Sequence, residues 1–535
     1  MCKRPIVLLV PPILDCSTGP FLGIANLKGY LRAHSPHPVR LLDWNIECLS
    51  SRPFFEAMAG YLRFLQHEGG QDFSDKSLAF LKQIEAILGD FDNPRLREHK
   101  VAAIQVLFKR CLSDRDLGLV PRRLRDKNLY KIWARFFDTR LDLWRNDVVP
   151  VLLGISVSYY TQLVPALIVA WLAKERFPEL PVVLGGNFFW HLPESHLRGI
   201  ASLPWIDFIV QYEGEVAFHQ LALACDAGES FGDISNLVWT RGEEVVFNPC
   251  VPPPNIRDCP APDFEDLNLD RYVTGLLPYQ FSRGCYWARC NFCDIPRYTA
   301  SDSTRFRAKN IPQVVTDIQT LQQRFGDHPF YLVTTAIPPA LCESLCRRIE
   351  ETGARFDWLT MVRADPGFTP DLARRMSRAG CRQVAMGLES ASDRVLGLMN
   401  KGITRSVFQT ALDNFTAAGI EVMVEVLVDF PGTTAEEAWD TFEFLKANRE
   451  KIQNVNISEF MLASECAVMR EPERFGVRLE SGRVDSWHGF DRPTYETTTG
   501  MSYSLGKELT HRIQRAWMEL TYSDPLSGSD EAQSL

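Results

Sequence analysis

The sequence predicts an α/β protein with two parallel-sheet domains. The first is a doubly wound sheet interrupted by a helical insertion, the second an incomplete parallel barrel of six βα units, and a small C-terminal region follows. Three observations predict this. Short apolar runs bounded by Gly or Pro alternate with helical spacing from residue 6 to residue 210, as strands covered on both faces require. A Pro-rich stretch at 249–262 separates that half from a second alternating series. The 535 residues, 45% of them hydrophobic, can fill two to four cores at roughly 100–200 residues each and exclude a largely disordered chain.

Ile6-Val7-Leu8-Leu9-Val10 is the first strand. Lys3 and Arg4 before it give the opening the look of a signal peptide, but Pro11-Pro12 ends the apolar run and no small-residue cleavage site follows closely, so a buried strand is expected. A loop at 11–23, helical spacing at 24–33 and a strand at 39–43 come next. The pattern resumes with a strand at 151–157, a helix at 164–176, a strand at 181–184 running into Gly185-Gly186, and a strand at 206–210 ending near Tyr212-Glu213-Gly214-Glu215. Ligands of such sheets sit outside the carboxyl ends of the strands.

Residues 51–148 form the helical insertion. Its second half is basic, with 11 Lys or Arg against 6 Asp in 101–150, and carries Tyr130, Trp133, Phe136, Phe137 and Trp144. Charge mixed with periodic apolar residues is usual for amphipathic helices, so a helical lid with an aromatic core is expected rather than a nucleic-acid surface. Domain boundaries follow at 1–250, a linker at 251–275, the barrel at 276–470 and a C-terminal region at 471–535. Barrel strands are expected at 279–282, 330–333, 358–362, 383–386, 421–428 and 454–460, six units where a full barrel has eight. A helix at 507–522 precedes a polar tail, 523–535, expected to be disordered.

Composition narrows the function classes. A net charge of -9 argues against a nucleic-acid-coating protein, and no run approaches 18 apolar residues. Fourteen cysteines in this length do not make a disulfide scaffold. Most stand singly as small buried hydrophobes, and Cys342 and Cys346 read as core residues of one helix. A reducing cytoplasm fits this usage.

The exception is Gly284-Cys285-Tyr286-Trp287-Ala288-Arg289-Cys290-Asn291-Phe292-Cys293, at the end of a predicted strand, where barrel loops carry chemistry. Thiolates are soft donors, which points to zinc or an iron–sulfur cluster. A structural zinc site wants four ligands, usually in two knuckles, and no second Cys-x-x-Cys exists. A plant-type ferredoxin uses this same Cys-x4-Cys-x2-Cys spacing with a distant fourth Cys, yet the next cysteine, Cys342, falls one βα unit away on a predicted helix. Three thiolates on a four-iron cluster leave one iron open to another ligand. On the cysteines alone, all three readings stay open.

The segment resembles the radical S-adenosylmethionine (radical SAM) superfamily, whose usual spacing is Cys-x3-Cys-x2-Cys with an aromatic residue before the last Cys. Phe292 matches that residue, while the first gap is one residue longer here. The resemblance implies a [4Fe-4S] cluster on Cys285, Cys290 and Cys293, about four iron atoms per chain, with S-adenosylmethionine (SAM) at the open iron. Gly387-Leu388-Glu389-Ser390, followed by Met399-Asn400-Lys401-Gly402, is similar to the fourth-strand segment, where a polar side chain meets the ribose; Glu389 can accept from two hydroxyls. Phe430-Pro431-Gly432-Thr433 is similar to the fifth-strand turn. Met361-Val362-Arg363-Ala364-Asp365 resembles the third-strand end, which makes Arg363 a candidate for the carboxylate of SAM. The implied SAM contacts are thus Phe292, Arg363, Gly387, Glu389, Ser390 and Pro431. The other reading of Glu389 and Arg363 is a structural salt bridge. Val333-Thr334-Thr335 stands where relatives often carry an acidic residue, so the amino group of SAM must find other acceptors.

The first 250 residues are similar to the Rossmann-like cobalamin-binding domain fused to many radical SAM enzymes. The resemblance rests on Pro11-Pro12, Pro20-Phe21-Leu22-Gly23-Ile24-Ala25, Asp43-Trp44-Asn45, Gly154-Ile155-Ser156-Val157-Ser158, Leu184-Gly185-Gly186-Asn187 and Glu213-Gly214-Glu215. It implies cobalamin contacts at Pro12, Leu22, Gly23, Ser156, Ser158, Tyr159, Gly185, Gly186, Asn187, Gly214 and Glu215. Glycines let the backbone approach a flat macrocycle, and Ser and Asn reach its amide fringe. The tight G-x-G-x-x-G loop of an ordinary dinucleotide sheet does not follow the first strand. No Asp-x-His-x-x-G occurs in the expected region, so the cobalt would meet water or a noncoordinating side chain such as Tyr159 or Tyr160.

Together these resemblances imply a cobalamin-dependent radical SAM methyltransferase acting on an unactivated carbon of a small-molecule or peptide substrate. In that chemistry a 5′-deoxyadenosyl radical takes a hydrogen atom, and the substrate radical receives the methyl group of methylcobalamin. A reductase, flavodoxin or ferredoxin would supply electrons; neither membrane nor nucleic acid is implied. The alternatives are rearrangement, cyclisation or coupling with the same cofactors, and a non-enzymatic iron–sulfur and corrinoid sensor or electron carrier.

Overall fold

The computed structural model describes residues 3–12, 19–67, 75–93, 99–100, 128–141, 149–159, 162–190, 192–251, 255–272, 274–295, 306–463, 466–479 and 495–522. It forms two compact units that part between Gln280 and Phe281.

In the first unit the strands are β1 (Ile6–Val10), β2 (Val39–Asp43), β3 (Leu152–Ser156), β4 (Val182–Gly185), β5 (Phe208–Val210), β6 (Leu237–Arg241) and β7 (Glu244–Phe247). Their order is β2-β1-β3-β4-β5-β6-β7. The first five are parallel, and β6 and β7 are antiparallel. The wholly parallel sheet expected from the sequence is therefore mixed. A hairpin closing at Gly242, whose φ is 65°, extends one edge, as glycine permits in a tight reversal. All five β1 residues are buried, consistent with a strand covered on both faces.

The described part of the insertion has helices Arg52–His67, Asp75–Gly89 and Asn128–Leu141. They complete the first unit's core: Phe137 stacks on Trp44 at 5.5 Å, and Phe136 meets Phe54 edge-on at 5.6 Å. Aromatic residues at these positions fill a core, while 101–127 and 142–148, with most of the basic excess and Trp144, lie outside the described residues.

The Pro-rich segment expected to be a linker is bound down over 255–272. Lys28, on helix Leu22–His34, pairs with Asp266 at 2.7 Å, and Arg32 of that helix with Asp263 at 2.6 Å. A Cβ on Gly29 would lie 2.2 Å from the Ala261 carbonyl oxygen, so the strap crosses the helix where only glycine leaves room. Tyr272 donates to Asp43 Oδ2 at 2.6 Å.

The remaining strands are β8 (Leu277–Gln280), β9 (Ser282–Gly284), β10 (Phe306–Ala308), β11 (Phe330–Val333), β12 (Trp358–Val362), β13 (Cys381–Glu389), β14 (Glu421–Leu427), β15 (Asn454–Ser458), β16 (Val477–Leu479) and β17 (Tyr495–Thr497). A six-stranded sheet runs β15-β14-β13-β12-β11-β8, with β11 to β15 parallel. This is the partial barrel expected from the sequence. Helices return between strands and start on local caps: Thr369, Thr404 and Thr434 each accept a backbone N–H of the following helix, which satisfies otherwise orphaned donors. The C-terminal helix, Tyr503–Tyr522, begins four residues before 507 because Ser502 caps it, accepting from the Leu505 amide at 3.3 Å. The tail at 523–535 lies outside the described residues.

Beyond β14, Asp429 is buried. Its carboxylate accepts from the Phe460 amide, while among the described residues Oδ2 has no hydrogen-bond partner. Burial pushes its pKa up to about 6. The fold thus favours the protonated form, a contribution present below the unfolded pKa and lost as pH rises through about 6. Asp429→Asn should match wild type near pH 3.5 and exceed it above pH 7 by about 2–3 kcal/mol, read from urea midpoints. A pH-independent difference would contradict this account.

Candidate functional site

In the second unit the cysteine loop leaves β9 at Gly284, where φ is 78°, beside the antiparallel partner β10. Cys285, Cys290 and Cys293 are all partly buried. The loop is fastened to residues 398–402 along its length. The Asn291 amide donates to the Met399 carbonyl at 2.8 Å and its Nδ2 to the Leu398 carbonyl at 2.8 Å. Trp287 Nε1 donates to the Asn400 carbonyl at 3.0 Å, and Asn400 Nδ2 returns a bond to the Arg289 carbonyl at 2.9 Å. The longer gap between the first two cysteines contains Ala288 at φ 48°, a left-handed turn costing roughly 1–2 kcal/mol. The indole of Trp287 holds it in place. That ring lies over Gly402, where a Cβ would come within 2.0 Å of it, and under the Arg363 guanidinium, 4.1 Å from its centroid.

Glu389 ends β13 after a register shift and has φ 63°. This bulge turns a buried carboxylate toward Lys401, whose Nζ lies 2.5 Å from Oε1. Burial alone would lower the pKa of Lys401, but Glu389 and the thiols of Cys290 and Cys293 outweigh it and raise the value. Gly387 makes room for the pair, since a Cβ there would sit 2.4 Å from Glu389 Oε1 and 2.6 Å from Lys401 Nζ. Lys401 also lies 5.6 Å from the Phe292 ring centroid.

Arg363 donates to the carbonyls of Lys401 and Gly402 and to Asp365 Oδ2. It thereby binds the 401–402 backbone and covers Trp287. The structure therefore gathers Cys290, Phe292, Arg363, Gly387 and Glu389 around Lys401. Ser390 instead turns to Thr441, 3.4 Å away, and accepts from the Ser392 amide at 3.2 Å. Pro431 is buried in the separate turn of Gly432, φ 88°. Thr334, in the position lacking an acidic side chain, pairs with Ser282 at 2.5 Å. The sequence alone gives no role to Lys401, Trp287 or Asn291. Lys401 and Asn400 lie in a quoted motif, but their functions depend on the bulge and on contacts 111 residues apart.

The donor set can be tested against a cluster. Among the described residues no three His, Cys, Asp or Glu side chains converge as on a single metal ion, yet the three thiols sense one another electrostatically. Burial pushes Cys290 up to about 11 and Cys293 up to about 12, while Lys401 and Arg363 draw Cys290 down. Soft donors on an anchored loop with two cations beside them fit a polynuclear iron–sulfur group, whose binding would displace their protons.

In the first unit β1 and β3 run parallel side by side but the strand order reverses between them, the kind of switch point where open α/β sheets bind ligands. Pro12 follows β1; Ser156, Ser158 and Tyr159 end β3 or follow it. Gly185, Gly186 and Asn187 lie at the end of β4, and Gly214 and Glu215 follow β5. Leu22 and Gly23 open the helix after β1. Gln162, unassigned from the sequence and fully buried, ties the switch point together. Its Oε1 accepts from the Ser158 and Tyr159 amides at 2.7 and 3.1 Å, and Nε2 donates to the Pro11 carbonyl at 3.1 Å.

The glycines divide by cause. Gly186, at φ 111°, is required internally, since a Cβ would meet the Val157 carbonyl at 2.4 Å. Among the described residues, nothing lies within 4 Å of a Cβ at Gly23, and Gly185 and Gly214 have only ordinary contacts. Tyr159 is 48% exposed and Asn187 is exposed, whereas Glu215 is buried.

Residues 279–445 match the model of the radical SAM superfamily. The chain is 28% identical over 308 residues to an uncharacterized methyltransferase of Pyrococcus horikoshii, covering 56% of this chain and 64% of that one. It is 26% identical over 293 residues to an anaerobic magnesium-protoporphyrin IX monomethyl ester cyclase of Rubrivivax gelatinosus, covering 51% and 50%. It thus spans less than two thirds of these relatives' length. Among solved structures, the fold resembles the cobalamin-dependent S-adenosylmethionine radical enzyme OxsB with aqua-cobalamin bound. That match has TM-score 0.63 and 15% identity and covers 97% of this chain and 67% of that one. It also resembles the radical SAM methyltransferase TsrM of Kitasatospora setae with cobalamin and a [4Fe-4S] cluster bound, at TM-score 0.60 and 16% identity, covering 96% and 91%. Among the described residues no helix is long and apolar enough to cross a membrane.

Proposed function

From the premise that residues 279–445 are a radical SAM domain, we propose that this chain is a cobalamin-dependent radical SAM methyltransferase acting on an unactivated carbon of a small molecule or peptide. The observation that carries the reading is the anchored three-thiol loop beside the buried Glu389–Lys401 pair, in one chain with a doubly wound sheet whose switch point is lined by small residues.

When bound, the cluster, SAM and cobalamin supply one-electron reductive cleavage and a transferable methyl group. The chain's own residues hold and orient. Cys285, Cys290 and Cys293 would lose their protons as ligands of the cluster, and Lys401 and Arg363 would offset the negative charge there. Lys401 holds one oxygen of Glu389, so the other would accept from the ribose hydroxyls of SAM. Trp287 and Phe292 limit water at the loop, which strengthens these interactions. In the first unit, the backbone at Gly23, Gly185 and Gly214 and the side chains of Ser156, Ser158 and Asn187 would meet a corrin and its amides, with Tyr159 as a noncoordinating neighbour.

A second reading, cyclisation or rearrangement with the same cofactors, is favoured by the cyclase relative. Anaerobic incubation with methyl-labelled SAM, a chemical reductant and a metabolite extract separates the two. Label in an extract component at one equivalent per turnover supports methyl transfer. Formation of 5′-deoxyadenosine with no label transferred would point to rearrangement. No SAM cleavage by the reduced, reconstituted protein would sink both. A one-electron donor of the flavodoxin, ferredoxin or reductase type is the partner this chemistry requires.

A further inference from the structure

The strands of the second sheet bury one face under helices and leave the other open. In β14 the buried residues Val422, Val424 and Val426 alternate with half-buried Met423, Glu425 and Leu427, the two-residue period of a strand. On the open face β12 presents Leu359 and Met361, and β13 presents Ala385 and Gly387. Between the polar pair Gln383–Glu421 at its amino end and the surroundings of Glu425, this surface is apolar or small.

Glu425 stands in register with Gly387 on one side and Asn456 on the other. Gly387 carries no side chain, and Glu389 Oε1 and Lys401 Nζ lie 2.4 and 2.6 Å from where its Cβ would be, so the strand position beside Glu425 is filled by that ion pair. Asn456 Nδ2 donates to Glu425 Oε2 at 2.6 Å. Tyr331, on β11, also senses Glu425.

The charges around Glu425 are unbalanced. Lys401 is committed to Glu389 at 2.5 Å, and among the described residues no cation makes an ion pair with Glu425. Glu421, on the same strand face, lies at the amino end and is met by Gln383 at 3.3 Å. Glu425 is thus a half-buried anion facing the reaction site with a neutral amide as its hydrogen-bond donor. Burial and the neighbouring Glu389 both raise its pKa, and an incoming cation would relieve both effects.

We propose that Glu425, held by Asn456 on the open face of the second sheet, binds a cationic amine of the substrate. This rests on the methyltransferase reading and narrows its substrate to molecules bearing a basic nitrogen near the carbon that is modified. Lysine-like side chains, amino sugars and amino-acid ammonium groups share that chemistry. The apolar residues around it would take the adjoining hydrocarbon.

The test uses the reconstituted full-length protein and two fragments, n-hexylamine and 1-hexanol, followed by saturation-transfer NMR and by competition between them. Hexylammonium should bind at least about tenfold more tightly than hexanol, with affinity falling as salt rises. Glu425→Gln keeps an acceptor for Asn456 and should melt within about 2 °C of wild type, yet lose that tenfold preference. Equal binding of the two fragments, or a preference that survives Glu425→Gln, would overturn the proposal. Neither fragment is consumed and SAM cleavage is not read, so failure here leaves the label-transfer experiment standing, and the reverse.

Discussion

Cys290→Ala protein, reconstituted anaerobically, is expected to lose SAM cleavage by at least about a thousand-fold, ~4 kcal/mol in barrier terms, while still taking up corrinoid. Cys290 is the central donor of the three, in electrostatic contact with Cys285, Lys401, Glu389 and Arg363. Even residues that only hydrogen-bond a metal's ligands alter affinity by about 10–100-fold, and removing a direct ligand exceeds that. The apoprotein should barely notice. Its thiol, pushed up to about 11 by burial, is neutral and small, so alanine leaves a modest void and no stranded charge. Iron and sulfide should fall well below the parent's while the melting temperature holds. Loss of corrinoid uptake along with SAM cleavage would mean that the two sites fold as one cooperative unit and would contradict the separate domains proposed from the sequence. A visible spectrum still showing a full cluster would remove Cys290 from the ligand set.

Much of this architecture was legible because it is written locally. The six strands of the second sheet appear as apolar alternation, and β1 as an unbroken apolar run, since side-chain period and burial both follow from neighbours in sequence. What escaped depends on distant partners. The β6–β7 hairpin is half-exposed and finds its place only by pairing with β5. The Pro-rich segment has a linker's composition, yet Lys28 and Arg32 hold it from more than 230 residues away, and no local pattern encodes that. At the site, Glu389 stood out because its motif resembles a known strand end. Its environment did not, because the bulge after Gly387 and the left-handed backbone at Glu389 decide which way the carboxylate faces. Gln162 is the extreme case: a polar side chain that no local pattern marks, fully buried because three backbone groups from two loops need it.

Lys401→Met should be among the most destabilising single changes in the second unit, by about 3–5 kcal/mol. The pair it breaks is buried on both sides, 11% and 10% exposed at the side chains. Without its cation, Glu389 must ionise in a poor solvent or take up a proton. The cost arises from the stranded partner, because attraction and desolvation nearly cancel for an intact buried pair. That asymmetry makes the claim testable. The double variant Lys401→Met, Glu389→Gln should recover more than half of the loss, with a coupling of at least ~1.5 kcal/mol in the cycle. Lys401→Met alone should melt lower by roughly 10 °C, at about 2–4 °C per kcal/mol for a unit of this size. Lys401 also supplies the carbonyl that Arg363 grips at 3.1 Å, and Asn400 beside it clasps the cysteine loop. Destabilisation should therefore show in cluster retention as well as in melting. Arginine at 401 would test charge against shape, keeping the cation while crowding the space that Gly387 leaves open. If the methionine variant melts with wild type and the double variant gains nothing, the pair is solvated in solution and Glu389 is free to turn elsewhere. In that case its carboxylate would not be fixed for the ribose, and the proposed role of Lys401 would fall with it.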